Sequence, residues 1–310
     1  MPTSTNCVSR SAELLLVYLL AATPVLAALN INTDTVQKAV VFLYGADEAG
    51  KVDLRKELGT GFFIRVPLTS DAKQSYVLLI TARHIFDPQW NKCPAANPSF
   101  LYARLNIKGY VMGSNSDGTI YIQLALMQEG TPIWHASPDM MADSAVLLLR
   151  SPEKELAEAD YASIPMSDFP TNEELGSLGI GDQIVSAGLV PGFSGKKRNY
   201  PFFKFGHVSS IPGETIETHC GPGLPTNVIR GWFIAANLIE GNSGSPIFYV
   251  PSGGRGVILG SAVMRTVLVG VQSSSLVPAD LAVMTPINYV YETIESMRLP
   301  KRGSSKGSKS

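Results

Sequence analysis

Gly241-Asn242-Ser243-Gly244-Ser245-Pro246 sets one serine between two glycines, entered from the apolar Phe233-Ile234-Ala235-Ala236 and left through Ile247-Phe248-Tyr249-Val250. The pattern is a tight turn between short apolar runs of strand type. A hydroxyl is a weak nucleophile at neutral pH, so a serine that attacks a carbonyl needs a base for its proton and donors for the oxyanion. The glycines meet the second need, because they let the backbone turn sharply and aim the N–H groups of Gly241 and Ser243 at one point. Alone, the segment reads equally well as an ordinary turn.

Outward from this turn, short apolar runs bounded by Gly, Pro, Asn or Ser recur along the chain. They include Gly59-Thr60-Gly61-Phe62-Phe63-Ile64, Tyr76-Val77-Leu78-Leu79-Ile80-Thr81, Ala145-Val146-Leu147-Leu148-Leu149 and Gln183-Ile184-Val185-Ser186-Ala187. With 28 Gly and 21 Pro, this spacing predicts an all-β barrel or sandwich architecture. Two six-stranded antiparallel β-barrels fit the strand count, the first over residues 36–150 and the second over 179–287, with the boundary between Leu149 and Gly179. The first strand is expected at Lys38–Tyr44, a hairpin turn at Thr69-Ser70-Asp71-Ala72, and a further strand from Gly256 to Val263. Helix is scarce: Val290, Ile294 and Met297 recur at helical spacing over Asn288–Arg298 before Pro300, and Glu153–Ala162 reads as a surface turn of helix.

The 310 residues are 45% hydrophobic and 16% charged, which describes a globular chain with enough apolar surface for one large core or two small ones. Part of that apolarity lies at the start, where Arg10 precedes Leu14–Leu20 and Val25-Leu26-Ala27 offers small residues for cleavage. This reads as a secretory signal peptide over residues 1–27, placing the mature chain in a secreted or periplasmic compartment. The run contains Pro24 and is short for a membrane span, so no stable membrane association is expected after cleavage. Formal net charge is −1, yet Lys301, Arg302, Lys306 and Lys309 sit in a tail without acids, which should be disordered. A mildly acidic body with a basic tail is not a nucleic-acid surface. Cys7 leaves with the signal; whether Cys93 and Cys220 pair is left open by their positions.

If Ser243 is a nucleophile it needs an imidazole, and the chain has His84, His135, His207 and His219. His84 stands apart because it follows a strongly apolar strand, Leu79-Ile80-Thr81, which can hold the ring in place. The third group must be a carboxylate that fixes the imidazole tautomer. Asp143 opens the buried run Ala145–Leu149 and is the better candidate, with Asp139 its rival.

Taken together, Thr81-Ala82-Arg83-His84, Asp143-Ser144-Ala145-Val146-Leu147 and Gly241–Pro246 resemble the three signature blocks of the trypsin-like (chymotrypsin-fold) serine peptidases, in that family's order. Gly181–Gly188, Gly206–Ser210 and Thr285-Pro286-Ile287-Asn288 look most like the bacterial HtrA-type and glutamyl-endopeptidase-like branches, without room for a PDZ domain. The resemblance covers residues 36–298. It implies a serine endopeptidase acting on proteins or peptides, with Ser243 as nucleophile, His84 as base and acid, Asp143 orienting His84, and the Gly241 and Ser243 N–H groups as oxyanion hole. It also implies substrate pairing along Gly260-Ser261-Ala262-Val263, Asn237 on the floor of the specificity pocket, and no metal or cofactor. Asn242 stands where digestive relatives carry the aspartate that pairs with a freshly cut N-terminus, so activity without that step is expected. Arg83 and Ser245 also depart from the family, at positions usually alanine and glycine.

An α/β-hydrolase requires Gly-x-Ser-x-Gly and an acid ahead of the histidine, neither of which holds here. A metal site from His219 and Cys220 lacks paired spacing. The remaining alternative is a secreted binding module that keeps the fold with a silent site.

Overall fold

Val40-Val41-Phe42-Leu43-Tyr44 is apolar without alternation because both faces of its strand are buried. The computed structural model describes residues 32–297 and 299, apart from 69–70, 112, 114–115, 151, 194, 237, 239–240, 252–264 and 277–279, with backbone only at 71–74 and 155. In β1 (Val40–Ala46), Val41 and Leu43 enter the interior of an N-terminal unit with Phe63, Leu79, Ala103 and Leu147. Phe42 and Tyr44, on the opposite face, join Val185, Ala187, Phe248 and Leu268 of a C-terminal unit. Each such side chain contributes about 1.5–3 kcal/mol on burial, against about 0.5–1.5 for a typical hydrogen bond, so this shared apolar layer is the main adhesive between the halves.

The chain is all-β with short helices, as its patterning predicts. The N-terminal unit comprises β1, β2 (Val52–Leu68), β3 (Asp71–Thr81), β4 (Phe100–Asn106), β5 (Thr119–Ala125), the short β6 (Met127–Gln128) and β7 (Thr131–Pro132), β8 (Trp134–Ala136), β9 (Ala145–Leu148) and β10 (Ile164–Pro165). Its eight-stranded sheet runs β5-β4-β1-β2-β3-β9-β8, with β10 added parallel to β2. The C-terminal unit comprises β11 (Gln183–Gly188), β12 (Phe202–Ser210), β13 (Ile216–His219), β14 (Thr226–Ile229), β15 (Trp232–Ala235), β16 (Pro246–Tyr249), β17 (Val267–Leu276) and β18 (Leu281–Pro286). Six of these close into a barrel, β11-β12-β15-β18-β17-β16, while β13 and β14 form a separate hairpin. Ile184, Val208, Ile234, Ile247, Val269 and Met284 fill the barrel.

Several boundaries differ from the sequence expectation. The first strand starts at Val40 because Thr33–Ala39 is a helix, capped by the Asn32 side chain on the Thr35 N–H. Strand β3 begins at Asp71, inside the segment expected as turn. Of the helix expected over Glu153–Ala162, only Pro152–Glu155 forms; beyond it Ala159 bridges to Ile107 on the sheet edge. A capping box of Thr171 and Glu174 opens an unexpected helix at Asn172–Ser177. The C-terminal helix runs Asn288–Ser296 and buries Val290 and Ile294 against the shared core. Cys93 and Cys220 are joined as a disulfide, tying the loop after His84 to the β13/β14 hairpin. The strand expected at 256–263 lies outside the described residues.

Candidate active site

His84 sits on a single helical turn, Arg83–Phe86, that follows β3 directly. The turn is anchored because Ala82, Ile85 and Phe86 are buried, and because the Arg83 guanidinium reaches forward to Asp87 at 3.2 Å and lies 4.8 Å from the Trp90 ring centroid. Arg83 therefore stiffens the loop. Asp143 stands just ahead of β9, 2% exposed, with Ala142 bridging to Arg230 of the C-terminal unit.

These two residues meet twice. The His84 Nδ1 lies 2.8 Å from Asp143 Oδ2, and the His84 backbone N–H donates to Asp143 Oδ1 at 3.0 Å. Burial pushes the imidazole pKa down, but the charge and hydrogen bond of Asp143 outweigh it and leave the pKa raised. For Asp143, burial pushes upward and is outweighed by the His84 charge and by donors from His84 and Ser273, leaving the carboxyl depressed. The rival acid lies elsewhere: Asp139 pairs with Arg230 Nε at 2.8 Å and accepts the Met141 N–H.

The nucleophile turn comes from the other unit. Gly241 and Gly244 both have positive φ, +85° and +86°, which a side chain resists. At Gly244 a Cβ would also collide with the Thr60 carbonyl and the Thr81 hydroxyl. The turn is pinned by Thr60 N–H to the Ser243 carbonyl (2.8 Å), Gly244 N–H to the Gln272 carbonyl (2.8 Å) and Ser245 N–H to the Asn242 carbonyl (2.9 Å). Thr60 crosses between the units again, its hydroxyl donating to the Gly241 carbonyl at 3.0 Å and accepting the Leu189 N–H at 3.0 Å. Ser245 is fully buried against Gly188, where a Cβ would overlap its hydroxyl, so the extra side chain is accommodated by a glycine opposite.

Ser273, on β17, connects the two sides. Its hydroxyl donates to Asp143 Oδ2 at 2.5 Å, and its carbonyl accepts the Ser243 hydroxyl at 2.9 Å. The structure thus brings His84, Asp143 and Ser243 to one boundary between the units, with Ser273 between acid and nucleophile. Among the described residues no hydrogen bond joins Ser243 to His84, and the N–H groups of Gly241 and Ser243 donate to no protein acceptor. Asn237, Gly260, Ser261 and Ala262 lie outside the described residues.

Ser273, Thr60 and Lys204 were not among the sequence candidates. Lys204 points into the polar end of the second barrel, where its ammonium donates to Asn242 Oδ1 at 3.2 Å and burial lowers its pKa. The only local signal for Ser273 is the polar run Gln272-Ser273-Ser274-Ser275 at the end of an apolar strand.

No protein-family model matches the chain, and no curated protein matches it in sequence. Solved structures of similar shape include the MamO protease domain from Magnetospirillum magneticum, at 14% identity over 83% of this chain and 96% of that one, TM-score 0.45. The active form of the Rv3671c protease from M. tuberculosis is similar at 15% identity over 88% and 87%, TM-score 0.43. HBP is similar at 14% identity over 89% and 98%, TM-score 0.46.

Proposed function

We propose that this chain is a secreted serine endopeptidase that hydrolyses peptide bonds of protein or peptide substrates through an acyl-enzyme. Ser243 attacks the scissile carbonyl, His84 takes the proton and returns it to the leaving amine, Asp143 holds the imidazole, and the N–H groups of Gly241 and Ser243 receive the oxyanion. The carrying observation is the buried Asp143 carboxylate accepting from His84 and from Ser273, whose carbonyl contacts Ser243. A buried carboxylate held by three donors is costly to build unless something uses it. Beyond Gln272, whose backbone is bonded to Gly244 and Ser245, β17 is not paired with β16, which supports extended pairing with a substrate there. Secretion is supported by the N-terminal leader pattern and by the Cys93–Cys220 disulfide, which suits an oxidising compartment.

One observation favours a second reading, a binding module with a silent site: the Ser243 hydroxyl donates to Ser273, not to His84. A hydroxyl rotates freely, however, and such bonds often tighten only once substrate is bound. A fluorophosphonate probe separates the readings. The peptidase reading expects stoichiometric labelling at Ser243, none in Ser243→Ala, and a fall in hydrolysis of about a millionfold in that variant. A folded wild type that stays unlabelled makes the chain a binding module.

A further inference from the structure

The side chain that follows Gly241 points inward. Asn242 is 1% exposed, at the end of the second barrel under the nucleophile turn. Its amide is held from both ends: Nδ2 donates to the Leu189 carbonyl at 2.5 Å, and Oδ1 accepts from Lys204 Nζ at 3.2 Å. Lys204 is on β12, paired with Ser186 of β11, and Leu189 follows β11 directly.

Two features make this more than incidental packing. First, the two partners require an amide. A carboxylate at position 242 would set oxygen against the Leu189 carbonyl, and an apolar residue would deprive the Leu189 carbonyl of its donor and the half-buried Lys204 ammonium of this acceptor. Second, Asn242 lies between the two oxyanion donors. Its backbone angles set where the Ser243 N–H points relative to the Gly241 N–H, and the Thr60 hydroxyl pins the intervening peptide through the Gly241 carbonyl. Fixing the side chain from below and the peptide from the side leaves the turn little freedom.

We propose that Lys204 is a positioning residue: from inside the second barrel its ammonium holds the Asn242 amide, and through it the Gly241–Ser243 turn, in the conformation that presents both N–H groups to substrate. An internal cation thus keeps the site assembled without help from a newly cut terminus. This rests on the reading of Ser243 as nucleophile.

The test is steady-state kinetics of the mature chain on a fluorogenic peptide selected by library profiling, with fluorophosphonate labelling in parallel. Lys204→Met keeps the stem and removes the charge, and Lys56→Met, whose ammonium meets the exposed Ala46 carbonyl, controls for loss of a lysine. An oxyanion donor is worth about 10²–10³ in kcat, so partial misplacement of the turn should lower kcat by about 10–100-fold in Lys204→Met, with KM within about threefold. Lys56→Met should match wild type. Unchanged kcat in Lys204→Met, with wild type labelling normally, overturns the lock and leaves the peptidase reading intact. A wild type that never labels removes the parent reading and the lock together. Should Lys204→Met fail to fold, Asn242→Ala carries the same expectation from the acceptor side, and full kcat there is equally fatal.

Discussion

The Ser273 hydroxyl donates to the Asp143 carboxylate across 130 residues of sequence, and the same residue's carbonyl accepts the Ser243 hydroxyl. One short piece of β17 is therefore the physical link between an acid in one unit and a nucleophile in the other. A buried carboxylate is tolerable only with its lone pairs occupied, and the His84 ring, the His84 backbone and Ser273 supply the donors.

Ser273→Ala should therefore weaken both stability and rate. Loss of a hydrogen bond to a buried charge costs about 1.5–3 kcal/mol, and a less firmly held Asp143 orients His84 less well. Denaturant titration should show that loss, alongside a fall in kcat/KM of about tenfold or more. Wild-type kinetics in this variant would show that the contact is structural only.

Asp143 and Asp139 are four residues apart and have different work. Asp143→Asn should lower kcat by about 10⁴, because an amide favours the wrong imidazole tautomer. Asp139→Asn breaks a partly exposed pair with Arg230, worth about 0–1 kcal/mol, and should leave kcat within a few-fold. Comparing the two variants on one substrate decides it, and a larger loss at Asp139 reverses the assignment.

Stability and activity should move oppositely with pH. The raised His84 pKa contributes stability fully present below its unfolded value of about 6.5 and lost as pH rises through the folded value. The depressed Asp143 pKa contributes stability present above about 3.9 and lost as pH falls through its folded value. Both terms are complete only between about pH 4 and 6.5. Catalysis needs the neutral imidazole, so kcat/KM should rise with pH along a limb centred above about 6.5. Asp143→Asn should shift that limb downward; a limb that stays put would detach it from His84.

Where local sequence alone sets the conformation, the site was legible. His84 and Asp143 each stand beside an apolar strand, and the glycines around Ser243 need no distant partner to be read as a turn. Lys204 was not legible, because which face of a strand through Phe202-Phe203-Lys204-Phe205 meets the barrel is set by pairing with distant segments. In the structure Phe205 is 49% exposed while Lys204 turns toward a barrel end lined by Ser186 and Asn242. Strand β17 was missed for a related reason. That Val267–Val271 meets β16 is a matter of non-local pairing that one-dimensional patterning does not encode. The disulfide depended likewise on a fold that brings Cys93 and Cys220 together.

Gly244 and Gly130 offer a controlled comparison of backbone strain with and without collision. Both have positive φ, but a Cβ at Gly130 meets nothing within 4 Å, whereas at Gly244 it would run into Thr60 and Thr81. Gly130→Ala should cost about 1 kcal/mol for the left-handed backbone alone. Gly244→Ala should cost about 3 kcal/mol or more and abolish labelling of Ser243, since the turn cannot keep its place against β2 and β3. Equal melting temperatures for the two variants would mean that the turn yields more easily than its contacts imply.

The Cys93–Cys220 disulfide closes a span of 127 residues and crosses from the loop after His84 to the β13/β14 hairpin. Chain-entropy reasoning gives about 4–5 kcal/mol for a loop of this length, and bridges of this kind commonly contribute about 2–5. Nearby, Lys92 Nζ donates to the Thr226 carbonyl and Asn227 Nδ2 to Asn91 Oδ1; the first is exposed and the second partly so, and together they contribute less. The Cys93→Ser/Cys220→Ser double variant should accordingly lose about 2–5 kcal/mol by denaturant titration. Its kcat should fall much less, because the helical turn bearing His84 is anchored separately by Ile85, Phe86 and Asp143. Unfolding midpoints that agree with and without reductant in the wild type would show that the bridge contributes nothing, and a collapse of kcat at unchanged stability would show instead that it positions His84.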